Sequence, residues 1–309
     1  IAEEGEEAPH PGMILRLHND EAAVLDPYVT DLVNEAIVTF SERYQFELQE
    51  PVIVELYPDH DDFAVRTSGL PGIGLLGVAF GYLVAMDSPT GRADGDFHWG
   101  TTLWHELAHI FTLTATDHLV PRWFSEGVSV FEEWSTGPLP GRHVPLHVLQ
   151  AIEADKLLPI LELDSGFIRP TYEGQVMVSY MQAGLICQFI VDRWGQQGLV
   201  DVLNGYRDGL TTAEVLEPAL GTTAAAFDKG FEEFLQRELG ATLGNLSTWQ
   251  DEVRSALESL DDEDWQGAIE AADRAIVNYP AHVAENSAYL VKARAYDELG
   301  QIDLAIEAL

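Results

Sequence analysis

His105-Glu106-Leu107-Ala108-His109 is the stretch on which the reading of this chain turns. On a helix, residues four apart share a face, so both imidazoles can reach one metal ion while Glu106 points to the adjacent water. The flanks, Trp99-Gly-Thr-Thr-Leu-Trp104 before it and Ile110-Phe-Thr-Leu113 after it, are apolar enough to make that helix largely buried. The competing reading is a core helix with two incidental histidines.

Upstream, Val24, Tyr28, Leu32, Ala36 and Phe40 recur every four residues, shadowed by Leu25, Val29, Val33 and Ile37, which predicts an amphipathic helix over 24–40. Asp26-Pro27 is expected to cap it or to kink its first turn. Pro51 to Tyr57 reads as a short buried strand, closed by Pro58 and the acidic cluster at 59–62. Gly77 to Met86 reads as one or two further strands of the same sheet. Residues 67–86 carry no charged side chain, but Pro71 and five glycines between 69 and 81 break any membrane helix there. From His98 onward the pattern is mostly helical, with stops expected at Gly137-Pro138, Gly195 and Gly240.

Downstream, Pro121-Arg-Trp-Phe-Ser-Glu126-Gly127 opens a second helix with an inward side of Trp123, Val130 and Trp134. Together with the first motif, Trp123-Phe-Ser-Glu126-Gly127 resembles the W-x-x-E-G helix of the gluzincin metallopeptidases. That resemblance implies His105, His109 and Glu126 as Zn²⁺ ligands, and an α+β zincin-like domain with a small N-terminal sheet and a mainly helical remainder. It also implies a peptidase that uses Glu106 as general base. Two departures stand out. The interval from His109 to Glu126 is shorter than in the large members of the family. Val130 stands where some members carry an Asp that bonds a ligand histidine, which leaves Glu132 and Glu133 as candidates for that bond.

Thr171-Tyr172-Glu-Gly174 resembles the helix start from which aminopeptidase members of the family present an oxyanion-binding Tyr. Tyr172 is the expected donor and Tyr180 the competing one, with Met177, Met181, Leu185 and Cys187 expected in the core. No carboxylate in 67–86 matches the glutamate with which the aminopeptidases grip a substrate's amino terminus, so an endopeptidase is expected. By analogy with related zincins, Gly77–Met86 is the candidate edge for pairing with an extended peptide.

The composition shifts after Gly244, and Gly240 to Gly244 reads as a linker. Trp265-Gln-Gly-Ala-Ile-Glu-Ala-Ala recurs as Ile302-Asp-Leu-Ala-Ile-Glu-Ala-Leu309, with Ala268 and Ala305 offset by 37. The period is close to the ~34 residues of tetratricopeptide repeats, which the segment resembles over about one and a half repeats. The expected organisation is therefore a metallopeptidase domain over 1–245 and an all-α tetratricopeptide-like segment over 249–309, which implies a protein partner at the repeats.

Asp plus Glu number 52 against 16 Lys plus Arg, a net charge of −36. Such a field repels phosphate backbones and anionic lipid, so neither a nucleic-acid partner nor binding to an anionic membrane surface is expected. The broken stretch at 67–86 leaves no transmembrane segment expected either. The lone Cys187 rules out an internal disulfide framework. The chain opens on Ile1 with an acidic stretch at 3–7, which fits a leader already removed and an extracytoplasmic setting better than a signal peptide. Gly72-Ile-Gly74-Leu-Leu-Gly77 matches a dinucleotide-binding pattern but lacks its strand and helix. His118, His143 and His147 stand at arbitrary spacing from the motif, and Asn245-Leu-Ser247 is too short a glycosylation pattern to weigh. Two rival readings stay open at this level. One is a catalytically silent domain on a repeat scaffold, the other a zinc hydrolase acting on a non-peptide substrate.

Overall fold

The computed structural model describes residues 12–69, 74–93, 95, 97–284 and 286–309. The acidic opening at 3–7, together with Pro71 and Gly72, lies outside them.

Four short strands form one mixed sheet: β1 (Met13–Arg16), β2 (Val52–Tyr57), β3 (Gly77–Phe80) and β4 (Leu83–Asp87), in the order β1-β2-β4-β3. The first three in that order run parallel, and β3 folds back antiparallel on β4 with Gly77 opposite Met86 and Phe80 opposite Leu83. β3 is therefore an edge. Apolar residues of β2 and β4 (Val52, Val54, Val84, Met86) are fully buried, as strands covered on both faces should be.

Helix α1 (Asn19–Tyr44) is longer than the periodicity alone indicated. His18 Nδ1 accepts from Asp20 N–H at its start, Asp20 and Glu21 favour the positive end of the dipole, and Pro27 is absorbed inside the helix instead of beginning it. The acidic cluster after Pro58 also starts a helix. Asp59 caps α2 (His60–Ser68) by accepting from the backbone N–H of Asp61 and Asp62. In mid-β2, Glu55 ties the sheet together by accepting from Arg16 of β1, from Arg66 of α2 at 3.1 Å and from Tyr57 at 2.9 Å.

The rest is helical, as expected: α3 (Trp99–Ala115), α4 (Arg122–Ser135), α5 (Leu146–Glu153), α6 (Leu163–Ile168), α7 (Gln175–Trp194), α8 (Gln196–Arg207), α9 (Thr212–Leu220), α10 (Ala224–Asp261), α11 (Trp265–Asn278), α12 (Ala288–Glu298) and α13 (Ile302–Ala308). No helix among the described residues is long and apolar enough to cross a membrane. α4 lies against both α3 and α7. A Cβ at Gly127 would meet the Ala183 carbonyl oxygen at 2.7 Å, so only glycine lets α4 and α7 approach this closely. Glu132 of α4 is wholly buried and fastens α1 by accepting from Tyr44 Oη at 2.5 Å and Arg43 Nε at 2.9 Å.

The stop expected at Gly240 is absent. α10 continues through Gly240 and Gly244, neither of which takes a positive φ, so the linker read there is helix. Leu235, Leu239, Leu246 and Trp249 keep a buried helical stripe across the two glycines, and that stripe outweighs their low propensity. The chain divides into two compact units. One runs to Arg142 and resumes over Leu157–Asp228; the other comprises His143–Lys156 and Lys229–Leu309. Within the second, Tyr279 Oη donates to the Val144 carbonyl oxygen at 2.7 Å, and α11, α12 and α13 pack in sequence.

Candidate metal centre

α3 and α4 bring three side chains of the sequence motif to one point. His109 Nε2 lies 3.1 Å from His105 Nε2 and 3.1 Å from Glu126 Oε2, and His105 Nε2 lies 3.4 Å from the same oxygen. The far side of each ring is already engaged. His105 Nδ1 is 2.5 Å from Glu133 Oε1, and His109 Nδ1 is 2.7 Å from Ser125 Oγ. Ser125 lies in turn 2.7 Å from Thr112 Oγ1, which donates to the His109 carbonyl oxygen. With Nδ1 of each ring engaged by these partners, Nε2 is the nitrogen that each ring can offer to a metal, once deprotonated, beside a carboxylate oxygen. Three acceptors facing one another are the donor set of a cation, and these residues form a group that can hold a metal ion.

The protonation of the metal-free chain reflects the same crowding. Burial pulls the His105 pKa down, but the bonds to Glu126 and Glu133 outweigh it and hold the ring well above the ordinary histidine value. Glu126 is buried, which alone would raise it; the charges of His109 and His105 instead hold it far below the carboxylate range. Glu106 is pushed up, first by burial, with the two histidine charges pulling against it and the Glu126 and Glu133 carboxylates adding to it. Its side chain is walled in by the edge strand. A Cβ on Gly77 would stand 2.8 Å from Glu106 Cγ.

Around the three side chains opens a cavity of about 450 Å³. Its lining includes Glu106, Ser125, Arg122 and Tyr180 as well as the whole of β3, together with Leu113 and Val120. Tyr180 Oη and Arg122 Nε both donate to Glu126 Oε1 at 3.1 Å. Tyr180 is held as a phenol with its pKa pushed up to about 12, mostly by burial and then by the Glu126 charge, against the pull of Arg122.

Tyr172, by contrast, is not among the cavity-lining residues and precedes α7, which begins only at Gln175, after Gly174. The inward face of α7 is Val178, Ala183, Leu185, Ile186 and Ile190. That phase turns Tyr180 to the cavity. Of the residues expected in the core, Leu185 and Cys187 are buried, Met181 is half-buried and Met177 is exposed. Of the two acidic candidates for a histidine partner, Glu133 reaches His105, and Glu132 braces α1. Ser125 and Arg122 escaped the sequence reading. Their only signal was their place in α4, one and four residues before Glu126.

Comparison with known families bears on this centre. A sequence model of the peptidase MA superfamily matches residues 33–237, a span that contains every residue of the cavity wall. The chain belongs to the peptidase MA superfamily. Neither a curated protein nor a solved structure matches it significantly. Membership of the superfamily supports a peptidase-type enzyme, and the general reliance of the peptidase MA superfamily on a metal agrees with the donor set found between α3 and α4. The small mixed sheet and helical remainder fit an α+β domain of that superfamily.

Proposed function

We propose that this chain is a zinc-dependent endopeptidase in which His105, His109 and Glu126 hold the metal and Glu106 is the general base. The observation that carries the reading is the mutual spacing of the three donor atoms, 3.1, 3.1 and 3.4 Å. Donors about 2.0–2.1 Å from a tetrahedral zinc stand about 3.3 Å apart, so the donor set fits the ion with little rearrangement. Zinc bound there would supply Lewis acidity and bring the pKa of a water towards ~7.

The protein's own groups do the rest. Glu106, buried and raised in pKa, takes the proton of the attacking water and returns it to the leaving amine. Tyr180, a protonated phenol on the cavity wall, is placed to donate to the carbonyl oxygen as negative charge develops, and its position supports it over Tyr172 for that role. β3, the unpaired edge beside Glu106, offers main-chain groups to an extended peptide. An edge strand that continues along the cavity and bears no carboxylate to hold an amino terminus supports internal cleavage. For α11 to α13 we propose a tetratricopeptide-type array that binds a protein partner. The two related segments, beginning at Trp265 and Ile302, each start a helix that follows a tight turn from the preceding one.

The test is elemental analysis of protein purified without added metal, with digestion of a broad peptide library. About one zinc per chain and metal-dependent cleavage at internal bonds are expected. A protein that neither carries nor takes up zinc overturns the reading.

A further inference from the structure

The two oxygens of Glu126 have different company. Oε2 faces the two imidazole Nε2 atoms, whereas Oε1 accepts from Arg122 Nε and from Tyr180 Oη, both at 3.1 Å. Among the described residues lining the cavity, Arg122 is the only Lys or Arg, in a chain with 16 Lys plus Arg against 52 acidic residues. It stands one turn before Glu126 on α4, at i,i+4 spacing.

Its position is fixed from more than one side. The guanidinium lies 5.6 Å from the centre of the Phe167 ring, and the helix start beneath it is pinned by Asp164, which accepts from the Trp123 backbone N–H at 2.8 Å. An exposed ion pair at this spacing contributes little to stability. This one differs because its carboxylate is buried and belongs to the donor set.

We propose that Arg122 is a positioning residue that holds Glu126 as a one-oxygen ligand. With Oε1 occupied by the guanidinium, only Oε2 is offered towards the histidines, and the site keeps room for water and a substrate carbonyl. A carboxylate free at both oxygens can close on a metal through the pair and take up that room. Tyr180 alone does not secure Oε1, because its hydroxyl is also the donor proposed for the reacting carbonyl and cannot serve both at once. The inference rests on the metal reading above.

Cobalt(II) loaded into the protein tests it, since the visible absorption of that ion reports coordination number and geometry. The comparison is made in a Tyr180→Phe background, because without substrate that hydroxyl would stay on Oε1. There Arg122→Met keeps the stem over Phe167 but removes the remaining donor; it is expected to lose much of the four-coordinate band intensity of the Tyr180→Phe protein. Arg122→Lys, which still offers an N–H to the same oxygen, is expected to restore those bands. Spectra are taken at temperatures where circular dichroism shows each variant folded. Identical bands with and without Arg122→Met in that background overturn the proposal, and so do bands altered alike by both Arg122 substitutions, because a donor to Oε1 would then make no difference. Failure of the wild type itself to take up cobalt or zinc strikes the metal reading instead.

Discussion

At the residue scale, the roles proposed around the cavity separate into groups that touch the reaction and groups that orient them. On the proposed reading Glu106→Gln, nearly isosteric, removes only the base, so turnover should fall ~10²-fold or more while zinc content and melting temperature stay at wild-type values. Tyr180→Phe removes one donor; turnover should fall ~100-fold with KM little changed, whereas Tyr172→Phe should leave both near wild type. Steady-state kinetics of the two tyrosine variants on one peptide decide between them, and the opposite ranking returns the role to Tyr172. Ser125→Ala leaves His109 Nδ1 without its acceptor at 2.7 Å, and competition with a chelator should show zinc affinity lowered by about 10-fold or more. The motif histidines and both glutamates are legible in sequence because their spacing is local. Ser125 and Arg122 are not, because their meaning depends on how α4 is turned against α3.

Among the elements, the helices and strands follow from patterning, while their ends and facing depend on neighbours. The strand at Val52–Tyr57 and the helix around His105 announce themselves by apolar content and flanking prolines or caps. The phase of α7 does not. Tyr180 sits among apolar neighbours in sequence, and only the close contact with α4 at Gly127 and Gly184 decides which side meets the cavity. Gly127→Ala should therefore destabilise the protein by about 1–3 kcal/mol in chemical denaturation, since the added Cβ meets main chain that cannot give way. The sheet carries a pH prediction. Burial would raise the Glu55 pKa, but the bonds from Arg16, Tyr57 and Arg66 outweigh it and leave it lowered. A carboxylate lowered in the folded state stabilises above its unfolded pKa of about 4.3, and that stability disappears as pH falls through the folded value. Glu55→Gln should thus be less stable than wild type at pH 7, and the gap should close in melts taken at progressively lower pH below 4.

For the whole molecule, composition pointed to a clean boundary near residue 245, and the helix that runs through it was hidden by Gly240 and Gly244. Glycine is a weak stop when an apolar stripe continues on both sides of it. The second compact unit also recruits His143–Lys156, a pairing that sequence distance conceals. A chain ended at Asn245 would cut α10 before Leu246 and Trp249 and remove Tyr279, the donor to Val144. Size-exclusion chromatography of that shortened protein should show aggregation, or a thermal melt several degrees lower, while a chain ended after α13 stays monodisperse. An unchanged melt would mean that 143–156 needs none of these partners.

The open edge at β3 has a consequence for what such an enzyme leaves alone. Hydrogen bonds to a strand edge are made by the main chain of the visitor, and a peptide bond already committed to a helix or sheet has none to give. On the proposed reading, a tightly folded protein passes this cleft uncut, and the same protein becomes a substrate as soon as a segment frays. The cleavage rate of a given target would then follow its local opening equilibrium more than its side-chain sequence.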